Sequence, residues 1–330
     1  MGKLFSLFAL LLASLGLYAA VFAWVVDRPL DLGPLRSAIS AKRAAAARIE
    51  GPKLVIFAGS NALFSHSCGV IGPMVALPCV NAGVAMGLGL DYQFALWKPR
   101  LHAGDTVYMP LELQQYSMTK AAVRQGPDAA ILWRHDRALL LSLGPARTLS
   151  AIFSGTAESG IASLVEMAAA DFRPALAHPA FAETDAEGDG IGHDLAQAQA
   201  NRAFLASLHR VDPTPGAIIA GYGTGEVAAF LDWARAAGVR VIGGWPTEFA
   251  DDPPDPALGR TLARIYGGDF LALVGQGRYR RANFFDSQDH LVSECQALHS
   301  IAVGRALAPL LGRPVRMPAR EAISLASRCP

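Results

Sequence analysis

Three side chains of this 330-residue chain, Ser60, Asp286 and His290, have the types that acyl transfer needs. A serine hydroxyl is a poor nucleophile until a base accepts its proton, and that base must itself be oriented by a partner. Ser60 lies in KLVIFAGSNALFSHS (53–67), where an apolar, β-branched run stops at Ala58-Gly59 and an amphipathic segment follows. A strand that breaks at glycine, with a serine opening the next helix, lifts a hydroxyl above a sheet edge, beside N–H groups that favour negative charge. The bland alternative is a serine that merely caps the helix. Asp286 and His290 share one short stretch, NFFDSQDHL (283–291). One loop could supply both base and orienting acid, with Asp286 on one ring nitrogen and Ser60 facing the other. Asp289 competes as the orienting acid, or caps the helix expected from about His290 to Leu311. His66 is the rival base, but two helical turns beyond Ser60 it is expected to face away.

The elements that must carry these residues read as α/β. Buried strands are expected at Leu54–Phe57, Cys79–Val80 and Thr106–Leu113, with Tyr92–Trp97 helical between the second and third. Further strands are expected at Val239–Ile242 and Phe270–Val274. This alternation predicts a mostly parallel sheet covered on both faces, a three-layer αβα sandwich. Glycines 83, 87 and 89 follow the second strand, where backbone must turn or come close to something. Ala- and Leu-rich stretches at 129–143 and 195–209 predict a helical insertion around 117–215. Thr184 to Gly192 (TDAEGDGIG) lacks the twelve-residue acid spacing of a calcium loop and reads as a surface turn. Gly221–Gly225 (GYGTG), after the apolar Ala217–Ala220, invites a dinucleotide reading. The third fingerprint glycine falls on Glu226, however, and no ribose-binding acid follows Val239–Gly244. Thr224 as N-cap of a helix from Glu226 to Ala237 explains the turn more simply. No cofactor and no metal are expected.

Leu4 to Val26 runs without a charged residue. It is long enough to cross a hydrocarbon core of about 30 Å as a helix. Residues 1–26 are therefore expected to be a transmembrane anchor, 27–50 a stalk broken at Pro29 and Gly33-Pro34 and then helical, and 51–330 the catalytic domain. The rival is a signal peptide cleaved near Leu17–Ala20, but the apolar run continues past that point. The net charge of +1, without a basic stripe, argues against nucleic acid. Four cysteines form two sequence-local pairs, Cys68 with Cys79 and Cys295 with Cys329, and none is a CxxC. In an oxidising compartment they would form two disulfides; the alternative is four buried thiols. Arg28, Arg36, Lys42, Arg43 and Arg48 follow the span and do not favour export, yet long domains translocate largely regardless of such charge. The expectation is a single-pass protein of the inner membrane with its domain in the periplasm.

Four stretches, AGSNALFS (58–65), VNAGVAMGLGLDY (80–92), GDTVYMPLELQQY (104–116) and FFDSQDHL (284–291), carry a family likeness. Together they resemble the SGNH hydrolase superfamily, and within it the membrane-anchored SGNH-like proteins of bacterial polysaccharide acetylation, relatives of the teichoic-acid D-alanylation protein. The likeness covers about residues 51–117 and 215–311 plus the anchor. It implies an SGNH or flavodoxin-like sheet, with Ser60 as nucleophile, His290 as base and Asp286 as orienting acid. The Ser60 and Gly83 N–H groups would form the oxyanion hole. Two departures stand out: Gly59 replaces the acid usual before the serine, and Glu112 stands nearest the third-block asparagine. Glu112 would line the site, and the Asn61 side chain is the substitute donor. The activity implied is O-acetylation of an exported polysaccharide, beside a membrane-bound O-acyltransferase and the export machinery. An esterase on the same fold and a non-catalytic tethered scaffold or carbohydrate-binding component are the alternatives.

Overall fold

The computed structural model describes residues 2–25, 32–124, 129, 131–132, 136–152, 165, 183–251, 255–273 and 277–330. The chain divides into two compact units, Met1–Ser37 with Ala121–Phe181, and Ala38–Lys120 with Ala182–Pro330.

The first unit contains α1, Gly2–Val25, whose 24 residues hold no acid or base after Lys3. At about 1.5 Å per residue it is long and apolar enough to span a membrane. The same unit contains the helices Arg137–Ser142 and Pro145–Ile152, tied back by Arg147, which donates to the Val123 carbonyl at 3.0 Å. Much of the expected helical insertion, with Pro29 and Val274, lies outside the described residues.

Helix α2, Leu32–Ala47, leads into the second unit. Gly33 and Pro34, expected to break structure, sit in its first turn instead. There the missing proline N–H has no helical partner to lose.

The second unit is built on a five-stranded parallel sheet: β1 Leu54–Ile56, β2 Cys79–Asn81, β3 Thr106–Met109, β4 Arg240–Gly244 and β6 Phe270–Leu271, in the order β2-β1-β3-β4-β6. Two-residue strands β5, Glu248–Phe249, and β7, Arg278–Tyr279, pair beside it. The central strands β1 and β3 are buried along their whole length, as strands of a covered parallel sheet must be. β3 is shorter than expected, since Pro110 has no N–H to continue the ladder. A buried ion pair, Lys53 Nζ to Asp105 Oδ2 at 2.6 Å, joins the starts of β1 and β3. Asp105 also accepts the Lys53 and His102 N–H groups, so its charge is well satisfied.

Helices α3 Ser60–Ser65, α4 Cys68–Val75, α5 Leu90–Trp97 and α6 Leu113–Ser117 connect these strands. Phe57 stacks on Phe94 of α5, which stacks on Phe230 of the helix Tyr222–Ala237, at 5.1 and 4.2 Å. The helix Ser293–Leu310 lies against α4 so closely that a side chain at Gly304 would meet Met74 Sδ at 2.9 Å. This helix begins at Ser293, so His290 stands in the loop before it. The helix expected from Glu226 begins four residues early, with Gly221 at its N-cap, and Thr224 instead donates to the Ile218 carbonyl at 2.6 Å. Ala217–Ala220, which a dinucleotide fold would need as a strand, belongs to the helix Pro215–Ala220. The 195–209 stretch forms a 3-10 turn, Gln197–Asn201, and a short helix, Arg202–Ser207. Both cysteine pairs are disulfides, Cys68–Cys79 and Cys295–Cys329.

Candidate active site

The strand order reverses between β1 and β3: β2 lies on one side of β1, and β3, β4 and β6 follow on the other. In open parallel sheets the crevice beyond the strand ends at such a reversal is where ligands bind. β1 delivers Ser60 to that place and β3 delivers Glu112.

Ser60 is the first residue of α3, and its N-cap is Gly59. The serine is therefore not the cap. Its hydroxyl and its N–H have no hydrogen-bond partner among the described residues, and it is partly exposed. The capping task falls to Glu112, whose Oε2 accepts the Gly59 N–H at 3.0 Å and whose Oε1 accepts the Asn61 N–H at 2.8 Å. One buried carboxylate grips both sides of the serine. Burial raises its carboxyl above the usual range, an effect opposed by the N–H groups and by nearby His290. Gly59 is required by close approach: a Cβ there would lie 2.6 Å from Glu112 Oε1 and 2.7 Å from the Met86 backbone.

Asp286 and His290 are brought together, with Oδ1 to Nδ1 at 2.6 Å. Asp289 does not take this place. Desolvation together with the Glu112 charge pushes its carboxyl up to about 7. The imidazole of His290 stacks on Phe64 with centroids 4.3 Å apart. Phe64 is four residues after Ser60, so the two share one face of α3. The imidazole thus lies on the helix face that carries the serine. No hydrogen bond joins Ser60 to His290 in this arrangement.

The remaining expected donors are otherwise engaged. The Gly83 N–H is directed at Asn81 Oδ1 at 3.0 Å. A side chain at Gly83 would meet Ala62, Leu63 and the Gly59 carbonyl within 2.8 Å, so this glycine lets the second block pack against the serine turn. Asn61, expected as a substitute oxyanion donor, is buried and spent: Nδ2 donates to the Pro110 carbonyl at 2.8 Å and Oδ1 accepts from Thr247 at 3.0 Å. His66 packs against Tyr108 and His299, and burial lowers it to about 4, so it is neutral near pH 7.

A scan of protein-family models and a search of curated proteins return no match to this chain.

Other participants were not legible in the sequence. Phe64 read only as an apolar helix residue. His193 packs edge-on against Phe64 and near Phe285, beside the His290 ring. Asp189, in the stretch read as a surface turn, is buried and accepts from Ser67 Oγ, the Cys68 and Gly69 N–H groups and Asn81 Nδ2 at 2.8–3.1 Å. It caps α4 as Glu112 caps α3. No group of three or more His, Cys, Asp or Glu side chains among the described residues could hold a metal ion.

Proposed function

We propose that this chain is an O-acyltransferase of the SGNH type, anchored by α1 with its domain in the periplasm, that acetylates an exported polysaccharide. The observation that carries the reading is the His290–Asp286 pair stacked on Phe64, one helical turn from a serine with no structural task. The parallel sheet and the position of Ser60 at its reversal fit a three-layer sandwich of that superfamily. Two disulfides fit an oxidising compartment.

With Nδ1–H donated to Asp286, Nε2 of His290 is the basic nitrogen. Ser60 Oγ attacks the acyl carbon of the donor and its proton passes to Nε2. The tetrahedral oxyanion collapses to an acyl-serine as the imidazolium protonates the leaving group. A sugar hydroxyl then gives its proton to Nε2 and attacks the acyl-serine, which releases Ser60 and the ester. Hydrogen bonds of this kind are often long in an unliganded site and tighten with substrate bound. The Ser60 N–H is open to the oxyanion; Gly83 becomes a second donor on releasing Asn81. A membrane-bound O-acyltransferase that carries acyl groups across the membrane is the partner this reading requires.

The test is turnover of an activated acetyl ester with and without oligosaccharide. Acetylated sugar, lost in Ser60→Ala and His290→Ala, supports the transferase. Free acetate alone makes the protein an esterase. A residual rate identical in Ser60→Ala overturns both. The engaged Gly83 N–H would then favour a tethered scaffold or carbohydrate-binding component.

A further inference from the structure

Ser65 ends α3, five residues after Ser60, and is fully buried. Its hydroxyl oxygen accepts the Leu291 N–H at 3.2 Å and lies 2.7 Å from the Asp289 carbonyl oxygen. Those two groups belong to the peptide units on either side of His290. A single hydroxyl on the helix that carries the nucleophile therefore holds the backbone of the base from both directions.

Thr247, in the turn between β4 and β5, backs this contact. Its Oγ1 lies 3.0 Å from Ser65 Oγ, 2.9 Å from the Asp289 carbonyl and 3.0 Å from Asn61 Oδ1. The donor inventory assigns the protons. The Pro110 carbonyl can only accept, so the Asn61 amide turns its NH2 toward it and its Oδ1 toward Thr247. An amide oxygen also only accepts, so Thr247 donates to Asn61 and can only accept from Ser65, whose one proton is shared between the nearer Asp289 carbonyl, at 2.7 Å, and Thr247 Oγ1, at 3.0 Å. The Phe285 N–H, 2.8 Å from the His290 carbonyl, completes the set of backbone bonds around the base.

We propose that Ser65, supported by Thr247, is a positioning residue that fixes the His290 backbone relative to Ser60. The proposal rests on the Ser60–His290 reading and goes beyond it, since Ser65 bonds neither the imidazole nor the Ser60 hydroxyl. The loop 285–290 is only half-buried, so it depends on contacts made from outside it. Without Ser65, the Leu291 N–H and the Asp289 carbonyl lose that partner, and the loop around the imidazole keeps fewer fixed contacts, chiefly Asp286, the Phe64 ring and the Phe285 N–H. A small displacement of a catalytic group lowers a rate by up to about a hundredfold without weakening substrate binding.

The experiment uses the full-length chain in detergent and a fluorophosphonate that labels reactive serines, together with hydrolysis of an activated acetyl ester. Ser60→Ala sets the background. Ser67→Ala is the control for loss of a nearby, half-buried hydroxyl: Ser67 caps α4 through the Val70 N–H and lies outside this contact set. The expected result for Ser65→Ala is a fall in labelling rate and in kcat of about ten- to a hundredfold with KM little changed, and a displaced pH–rate profile. Ser67→Ala should keep the wild-type profile. Should Ser65→Ala not fold, the isosteric Thr247→Val carries the test, with a smaller fall in the same direction. Wild-type labelling and profile in Ser65→Ala, or in Thr247→Val where that variant stands in, overturn the positioning role alone. An unlabelled wild type, equal to Ser60→Ala, overturns the nucleophile reading itself.

Discussion

At Ser60 the decisive observation is which side chain does the capping. An N-cap serine would have its oxygen occupied by the helix; here that work belongs to a carboxylate from beyond β3. Glu112→Gln tests the arrangement. Glutamine keeps one accepting oxygen and turns an NH2 toward the other N–H, so one buried donor is left unpaired. The expected cost is about 1–3 kcal/mol of stability, read by denaturant unfolding. Labelling of Ser60 should slow as the turn loosens. Asp286, His290 and Ser60 were legible because their types announce chemistry. Glu112 stood out only as a departure from a pattern. Ser65, Thr247 and His193 could not be found, since their roles come from contacts across more than a hundred residues of chain, and a buried serine looks like any other in sequence. Asn61 had the right type and place for a donor, but a carbonyl and a threonine claimed both ends of its amide.

Among the elements, strands were legible where apolar runs were short and β-branched. Their ends were not, because Pro110 and the glycines of β4 act through hydrogen bonding rather than hydropathy. In Gly221–Gly225 the expected Thr224 cap gave way to an earlier helix start for a steric reason: Cβ atoms at Gly221 and Gly223 would fall 2.0 and 1.8 Å from the Tyr116 and Gln115 carbonyls, so these glycines serve the packing of two helices. Helix α2 makes a specific contact of its own, with Lys42 donating to the Asn81 carbonyl at 3.0 Å and to the Gly188 carbonyl. Burial brings its amine down from 10.5 to about 7, against the pull of Asp189 and Asp185. Between those values the unfolded chain holds a proton that the folded chain lacks. Stability should therefore rise with pH across that window, by up to about 1.4 kcal/mol per unit, and be lost as pH falls through it. Lys42→Met should remove that slope, measured by urea unfolding at pH 7 and pH 9. The disulfide Cys295–Cys329 closes a loop three times longer than Cys68–Cys79, with separations of 34 and 11 residues. Loop entropy assigns the longer one about 4 kcal/mol and the shorter about 3, so replacing the longer pair by alanine should lower the urea midpoint more.

For the whole molecule, composition pointed to the long apolar helix α1 at once, whereas the division into two units was not visible. The amino-acid sequence of residues 121–181 carries no apolar run that reads as a strand, and Ser37 lies within the continuous helix α2. Two outcomes are expected of the intact protein. The full chain should stay in the membrane pellet after alkaline extraction, and a chain lacking α1 should appear in the supernatant. Cysteines blocked with a thiol reagent in intact cells should take up label only after reduction; four labelled thiols beforehand would place the domain in a reducing compartment. The sheet order has a consequence for the newborn chain. The first strand synthesised is the inner one, and the outer side of β3 waits roughly 130 residues for β4. During that interval an uncovered strand margin is open to pairing with other chains. The histidine loop arrives later still, so in the proposed mechanism serine and imidazole meet only after about 230 further residues have been made.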